Sequence, residues 1–171
     1  MYHLICKNLK KKIKFKISHN QTFIEYSPLA SKYLKTIINK IKLNNGGMLI
    51  IDYGYLKREM KNTLQAVSKH KYCDVLKSFR NSDITYNLSF NLINMITKKL
   101  APCSSMFATQ KKFLTKLGIL ERAEILAKNM SFSKKADIFY RIKRLIDENQ
   151  MGHLFKVMFI TNSKNKFNLG F

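Results

Sequence analysis

Residues 46–54 read Gly46-Gly47-Met48-Leu49-Ile50-Ile51-Asp52-Tyr53-Gly54: two glycines, an unbroken apolar run and an acidic residue. A short continuous apolar run bounded by glycine is typical of a strand that is buried on both faces of a parallel sheet. In α/β sheets, ligands bind beyond the carboxyl ends of the strands. We therefore predict an α/β fold, with Asp52 and Tyr53 at the edge of the sheet where ligands bind.

An amphipathic helix is predicted directly before this strand. Ser27 and Pro28 are suited to its N-cap and first helical position, and residues 44–47 (Asn-Asn-Gly-Gly) supply the left-handed conformation that ends a helix. Apolar side chains recur at helical spacing between these limits. The predicted inner face consists of Ala30, Tyr33, Leu34, Ile37, Ile38 and Ile41.

Further elements are predicted on both sides of this unit. Lysine and apolar residues alternate over residues 12–17, which indicates an edge strand with its lysines facing water. Residues 22–26 form a possible second strand. Downstream, Ser89 and Thr109 are predicted helix caps and Gly118 a helix stop. The remaining predicted helices cover residues 62–69, 89–99, 109–117, 120–130 and 133–146, and the remaining strands cover 106–108 and 154–161.

The chain has 171 residues and a formal net charge of +22, from 32 basic and 10 acidic side chains. Its hydrophobic content of 46% is sufficient for a packed core, which excludes a disordered basic tail. The aliphatic runs are much shorter than a membrane span, and the N-terminus lacks the order of a secretory signal. The three cysteines lack C-x-x-C spacing. We expect no membrane partner and a reducing, cytoplasmic location.

The positive charge allows two interpretations. Basic surfaces bind nucleic acids because neutralising phosphates releases counterions. Alternatively, abundant Lys, Asn and Ile reflect biased codon choice in an AT-rich genome. The lysines are spread along the chain, and no RNA-binding signature is present. A nucleic-acid module is therefore the lesser alternative.

Familiar catalytic and metal-binding motifs are absent from the sequence. Neither G-x-G-x-x-G nor G-x-x-x-x-G-K-[ST] occurs, and the nucleophile-elbow sequence is missing. The four histidines are not spaced as metal ligands. We predict no metal site.

Several stretches, taken in order, resemble one family, the MidA-type S-adenosylmethionine-dependent protein arginine methyltransferases, which assemble mitochondrial complex I, and their bacterial relatives. The similar blocks are Phe23 to Ala30, Gly46 to Gly54, Asn62 to Val67 with His70, Asp83 to Thr85, Thr109 to Ala123 and Met151 to Val157. The resemblance covers the chain from about Phe23 to its C-terminal residues.

The resemblance implies an incomplete class I methyltransferase (Rossmann-like) fold, the C-terminal part of the sheet with flanking helices. Residues 48–51 resemble the fifth strand, and residues 154–161 resemble the antiparallel strand that closes the sheet. Residues 1–26 would form a basic N-terminal strand segment, and residues 27–171 the C-terminal part of the methyltransferase domain. The family binds S-adenosyl-L-methionine through a Glu and a Gly-rich loop that precede the matching region, so no cofactor-binding residue is assigned to this chain.

This resemblance implies methyl transfer to a protein arginine only together with a separate N-terminal half. A catalytically inactive truncated remnant is the main alternative. The residues expected to line the site are Asp52, Thr63, Gln65 and His70; no catalytic residue is assigned. A strand-end cap for Asp52 and a loop hydrogen bond for Gln65 are equally compatible with the sequence. The family's His and Asp are replaced by Asn87 and Ser89, which cannot act as general bases near neutral pH.

Overall fold

The computed structural model describes residues 23–77, 80–164 and 167–171. Its main sheet contains β1 (Gly47–Tyr55), β5 (Leu88–Ser89), β6 (Cys103–Thr109) and β7 (Phe155–Asn162) in the order β5-β1-β7-β6. β7 lies antiparallel between β1 and β6, whereas β5 pairs parallel with the carboxyl end of β1. The predicted α/β class and the antiparallel closing strand are therefore confirmed.

Helix α1 (Pro28–Asn44) begins and ends as its sequence predicts. The Ser27 hydroxyl accepts a hydrogen bond from the Ala30 N–H at 3.1 Å, and Asn45 adopts a φ of 51° at the C-cap. Leu34, Ile38 and Ile41 are buried, but Tyr33, which was assigned to the same face, is 62% exposed. The inner face of α1 is therefore narrower than its apolar spacing indicates.

Helices cover both faces of the sheet. On one face, α1 and α2 (Phe90–Leu100) enclose a core that includes Phe90, Met158 and Ile160. On the other face, α3 (Gln110–Lys116) contributes Phe113, which packs against Ala108 and Val157. Helices α4 (Ile119–Ala127), α5 (Phe132–Ile146) and α6 (Met151–Leu154) follow, and no residue of α5 is buried.

The second layer of helices leaves part of β1 uncovered. Leu49, Ile51 and Tyr53 share one face of the strand and are 45–48% exposed. The prediction that residues 48–51 are buried on both faces of a parallel sheet is therefore wrong for the described structure. The physical reason is that α3 packs over β6 and β7, and the long partner of β1 is the antiparallel β7.

A small separate sheet replaces the helix predicted over residues 62–69. It contains β2 (Gln65–Ser68), β3 (Lys71–Cys73) and β4 (Asp83–Thr85) in the order β3-β2-β4, and both pairings are antiparallel. β2 is the central strand, so hydrogen bonds to both neighbours outweigh its weak helical pattern. Lys69 and His70 form the two-residue turn, with φ angles of 49° and 62°.

The structure describes only part of the N-terminal segment in which two strands were predicted. The predicted strand over residues 12–17 lies outside the described residues, as does most of the proposed segment 1–26. Residues 23–26 form no strand, so the second N-terminal strand is wrong over that range. Within the described residues, each helix is too short or too polar to cross a bilayer.

Candidate functional site

A hydrogen-bond network lies near the carboxyl end of β1. The Thr63 N–H donates to Oε1 of Glu25 at 2.8 Å, and the Thr63 hydroxyl contacts both carboxylate oxygens at 2.8 and 3.0 Å. The same hydroxyl oxygen accepts the Asn87 N–H at 3.0 Å. This network therefore joins the segments that precede α1, β2 and β5.

A cavity of about 350 Å³ adjoins the network. It lies between α1, α2 and β1, and its walls are mainly apolar. Its residues are Glu25, Tyr26, Ser27, Ala30, Ser31, Tyr33, Leu34, Ile37, Met48, Ile50, Tyr86, Asn87, Leu88, Ser89, Leu92, Ile93 and Ile96. A mainly apolar pocket with a few polar groups is the usual form of a ligand site.

Tyr55 ends β1 beside this network. Its hydroxyl is buried and has no partner at hydrogen-bonding geometry among the described residues. Burial raises the pKa of Tyr55; the nearby Ser89 side chain and Lys61 backbone oppose that rise, and the negative charge of Glu25 adds to it. Tyr55 is therefore neutral near pH 7, and Ser89 and Lys61 lie near its hydroxyl without meeting the geometry of a full hydrogen bond.

Of the four residues expected to line the site, only Thr63 belongs to this network. Gln65 donates from Nε2 to the Thr85 hydroxyl at 3.1 Å across β2 and β4. Asp52 is exposed and accepts the Tyr53 N–H at 2.7 Å, while His70 lies in the β2–β3 turn. None of the four lines the cavity. Their contact with a substrate stays a prediction.

The structure assigns Glu25, Tyr86 and Asn87 to the site, none of which was selected from the sequence. Glu25 belongs to one of the blocks that resemble the family, so its position there was the available signal. Asn87 joins the network through its backbone N–H, which its side-chain type does not predict. The predicted capping role of Ser89 is confirmed, because its hydroxyl accepts the Leu92 N–H at 3.3 Å.

Two glycines of β1 lie against other parts of the protein. A side chain at Gly54 would lie 2.4 Å from the Leu88 carbonyl oxygen and 2.5 Å from the Phe90 ring. At Gly47 it would meet the Phe159 ring at 2.5 Å. These two glycines therefore admit the close approach of other parts of the protein. Within the same residues, no group of three potential metal ligands comes together.

A family model described as "Putative S-adenosyl-L-methionine-dependent methyltransferase" matches residues 3–108, more than half of the chain. The chain belongs to this methyltransferase family.

Curated relatives in the family are longer than this chain. "Protein arginine methyltransferase NDUFAF7, mitochondrial" from Xenopus tropicalis is 30% identical over 134 residues, covering 78% of this chain and 31% of the relative. The human protein of the same name is 26% identical over 143 residues, covering 81% and 32%. The chain thus spans about a third of the length of these relatives.

Solved structures agree with the fold. The crystal structure of an uncharacterized protein from Burkholderia thailandensis superimposes with a TM-score of 0.69 and 21% sequence identity. The match covers 85% of this chain and 40% of the Burkholderia chain. A second, bound to S-adenosyl-homocysteine, has a TM-score of 0.67 and 22% identity, over 83% and 38%. The described chain therefore shares its fold with part of these larger proteins.

The predicted cytoplasmic location is wrong. The curated relatives from Xenopus and human are named as mitochondrial proteins. The sequence signal used for that prediction, unpaired cysteines without a secretory pattern, indicates a reducing environment and does not distinguish between compartments inside the cell.

Proposed function

We propose that this chain forms the C-terminal part of an S-adenosylmethionine-dependent protein arginine methyltransferase, and that it methylates a protein substrate only with a separate N-terminal half that binds the cofactor. The observation that carries the proposal is the similarity of this chain to relatives named as arginine methyltransferases. Proteins named as arginine methyltransferases match 78% of this chain, yet the match covers only 31% of the Xenopus protein.

The surface of β1 supports this proposal. Leu49, Ile51 and Tyr53 form a half-exposed apolar face. Contiguous exposed apolar surface commonly marks a place where another protein segment packs. We assign this face to the contact with the N-terminal half.

The test is complementation. The region of the Xenopus relative that precedes its match to this chain is co-expressed with the chain, and S-adenosylmethionine binding is measured by calorimetry. We expect no binding by the chain alone and stoichiometric binding by the pair. Methyl transfer to arginine-containing peptides is then measured, with the full-length Xenopus protein as the positive control.

Complementation also distinguishes this proposal from an inactive remnant. A pair that assembles but neither binds the cofactor nor transfers a methyl group would contradict the split enzyme. If the chain alone binds S-adenosylmethionine tightly, the requirement for a separate half is wrong.

A further inference from the structure

Glu25 is a carboxylate without a basic partner among the described residues. Its hydrogen bonds come from the N–H and the hydroxyl of Thr63, which together provide two donor hydrogens. An ionised carboxylate offers about four acceptor positions. Within the described part of the chain, about two acceptor positions therefore remain on Glu25, which lines the cavity. The chain as a whole has a net charge of +22.

Aromatic side chains form part of the same cavity. Tyr26, Tyr33 and Tyr86 line it together with Glu25. The face of an aromatic ring attracts a cation, and the attraction is stronger where water is displaced. Leu34 and Ile93 add apolar surface that suits an alkyl chain. These walls favour a ligand with an apolar stem and a cationic end.

We propose that this cavity binds an alkylguanidinium group, the side chain of a substrate arginine, with Glu25 as its carboxylate partner. The inference rests on the proposed arginine methylation, for which it names the substrate-binding residues. A planar guanidinium donates two parallel hydrogen bonds to a carboxylate, whereas an ammonium is a point charge. The cavity volume of about 350 Å³ is at the lower end of the range for small-ligand sites.

The positive charge of the chain does not prevent this binding. At an ionic strength of about 0.15 M, exposed charges are largely screened beyond about 8 Å. The Glu25 carboxylate and the tyrosine rings therefore determine whether the cavity prefers a positively or a negatively charged ligand. Met48 and Ile50 line one part of the cavity, in the amino-terminal half of β1. Glu25 lies near Tyr55, at the carboxyl end of β1, which is the edge of the sheet where α/β proteins bind ligands.

The test uses the full chain and three small probes: butylguanidinium, butylammonium and neutral butylurea. Binding is followed by NMR titration at about 0.15 M salt. We expect butylguanidinium to bind at least about tenfold more tightly than butylurea, and more tightly than butylammonium. If butylurea binds as tightly as butylguanidinium, or if butylammonium binds more tightly, the proposal is wrong.

Two variants locate the binding. Glu25→Gln keeps the shape of the side chain and should weaken the binding of butylguanidinium at least about tenfold. Glu124→Gln, at an exposed position in α4, should leave the affinity for butylguanidinium unchanged. Tyr33→Leu removes one aromatic face at a 62% exposed position, where the loss should not impair folding. It should weaken both cationic probes several-fold. Unchanged affinity in Glu25→Gln or in Tyr33→Leu contradicts the assignment.

These measurements are independent of methyl transfer. If butylguanidinium binds as expected but the complemented pair is inactive, the site stands and the proposed function fails. If the pair transfers methyl groups and Glu25→Gln affects neither butylguanidinium binding nor the KM for the peptide, the enzyme stands and the inferred site is wrong.

Discussion

At the scale of single residues, capping was predictable and the site network was not. Ser27, Ser89 and Thr109 each cap the helix assigned to them, because a short hydroxyl side chain before an apolar periodic run has a local role. The contact between Glu25 and Thr63 joins residues 38 positions apart. Such a pair depends on how the segments before α1 and β2 are arranged, which no local pattern encodes.

Thr63→Val should destabilise the protein. The substitution removes the hydroxyl that contacts Glu25 and accepts the Asn87 N–H, and it leaves partly buried polar groups with fewer partners. A loss of about 1–3 kcal/mol in the free energy of unfolding is expected, measured by urea denaturation. Thr115→Val, at an exposed position in α3, is the matched control and should change stability by less than about 0.5 kcal/mol. If the two substitutions lower the free energy of unfolding equally, the network does not stabilise the protein.

Tyr55→Phe should leave stability near pH 7 unchanged or slightly increased. The hydroxyl is buried, and its nearest partners, the Ser89 side chain and the Lys61 backbone, do not meet hydrogen-bonding geometry. Its removal should therefore cost little and also removes a desolvation cost. Urea denaturation at pH 7 compares the variant with the natural chain, and a clear loss of stability would mean that the hydroxyl makes an essential bond. Tyr140→Phe, 71% exposed, is the control.

The same variant should change the pH dependence. The pKa of Tyr55 is raised in the folded state above the value of 10.0 expected when unfolded. Ionisation of Tyr55 therefore has no effect on stability below about pH 10, and stability falls as the pH rises from there through the folded-state pKa. The natural chain should lose more stability than Tyr55→Phe between pH 9 and about 11. Parallel curves for the two proteins would contradict the raised pKa.

At the scale of elements, sequence patterns were reliable where one element decides its own structure. The bounds of α1 and α2 follow from caps and apolar periodicity. Residues 62–69 differ, because β2 gains its hydrogen bonds from β3 and β4 on either side. The burial of β1 was also not predictable, since it depends on which strands the second helical layer covers.

Substitutions in the β2–β3 turn should stabilise the protein. Lys69 and His70 both have positive φ, which costs a residue with a side chain about 1–2 kcal/mol. Asn-Gly is the preferred pair for such a two-residue turn. The double substitution Lys69→Asn and His70→Gly should therefore raise the free energy of unfolding by about 1 kcal/mol, measured by urea denaturation.

A glycine at a position with ordinary backbone is the control for this change. Lys57 is exposed and is not among the residues with positive φ. Lys57→Gly should lower stability by up to about 1 kcal/mol, because glycine adds freedom to the unfolded chain. A turn variant that also loses stability would show that Lys69 or His70 makes contacts that outweigh its strain.

At the scale of the whole molecule, the ordered blocks of sequence identified the family, whereas the net charge left two interpretations open. Net charge is a property of the surface and does not specify a fold. The blocks follow the order of elements along the chain, whereas the strands lie side by side in the order β5-β1-β7-β6. The strand order therefore depends on tertiary pairing that the order of the blocks does not give. The relatives' mitochondrial location is a cellular property that no packing interaction in the described chain expresses.

The half-exposed face of β1 gives the last prediction. Leu49 and Ile51 are 47% and 48% exposed, so the double substitution Leu49→Glu and Ile51→Glu should cost the chain alone little stability. In the complemented pair the same carboxylates would be buried against an apolar surface, which is strongly unfavourable without a partner charge. Gel filtration should therefore show that the variant remains folded but no longer assembles with the N-terminal half. Leu76→Glu, at an 87% exposed position outside the main sheet, should assemble normally. Assembly of the double variant would mean that the N-terminal half packs elsewhere, and a chain that unfolds on its own would mean that this face already contributes to the core.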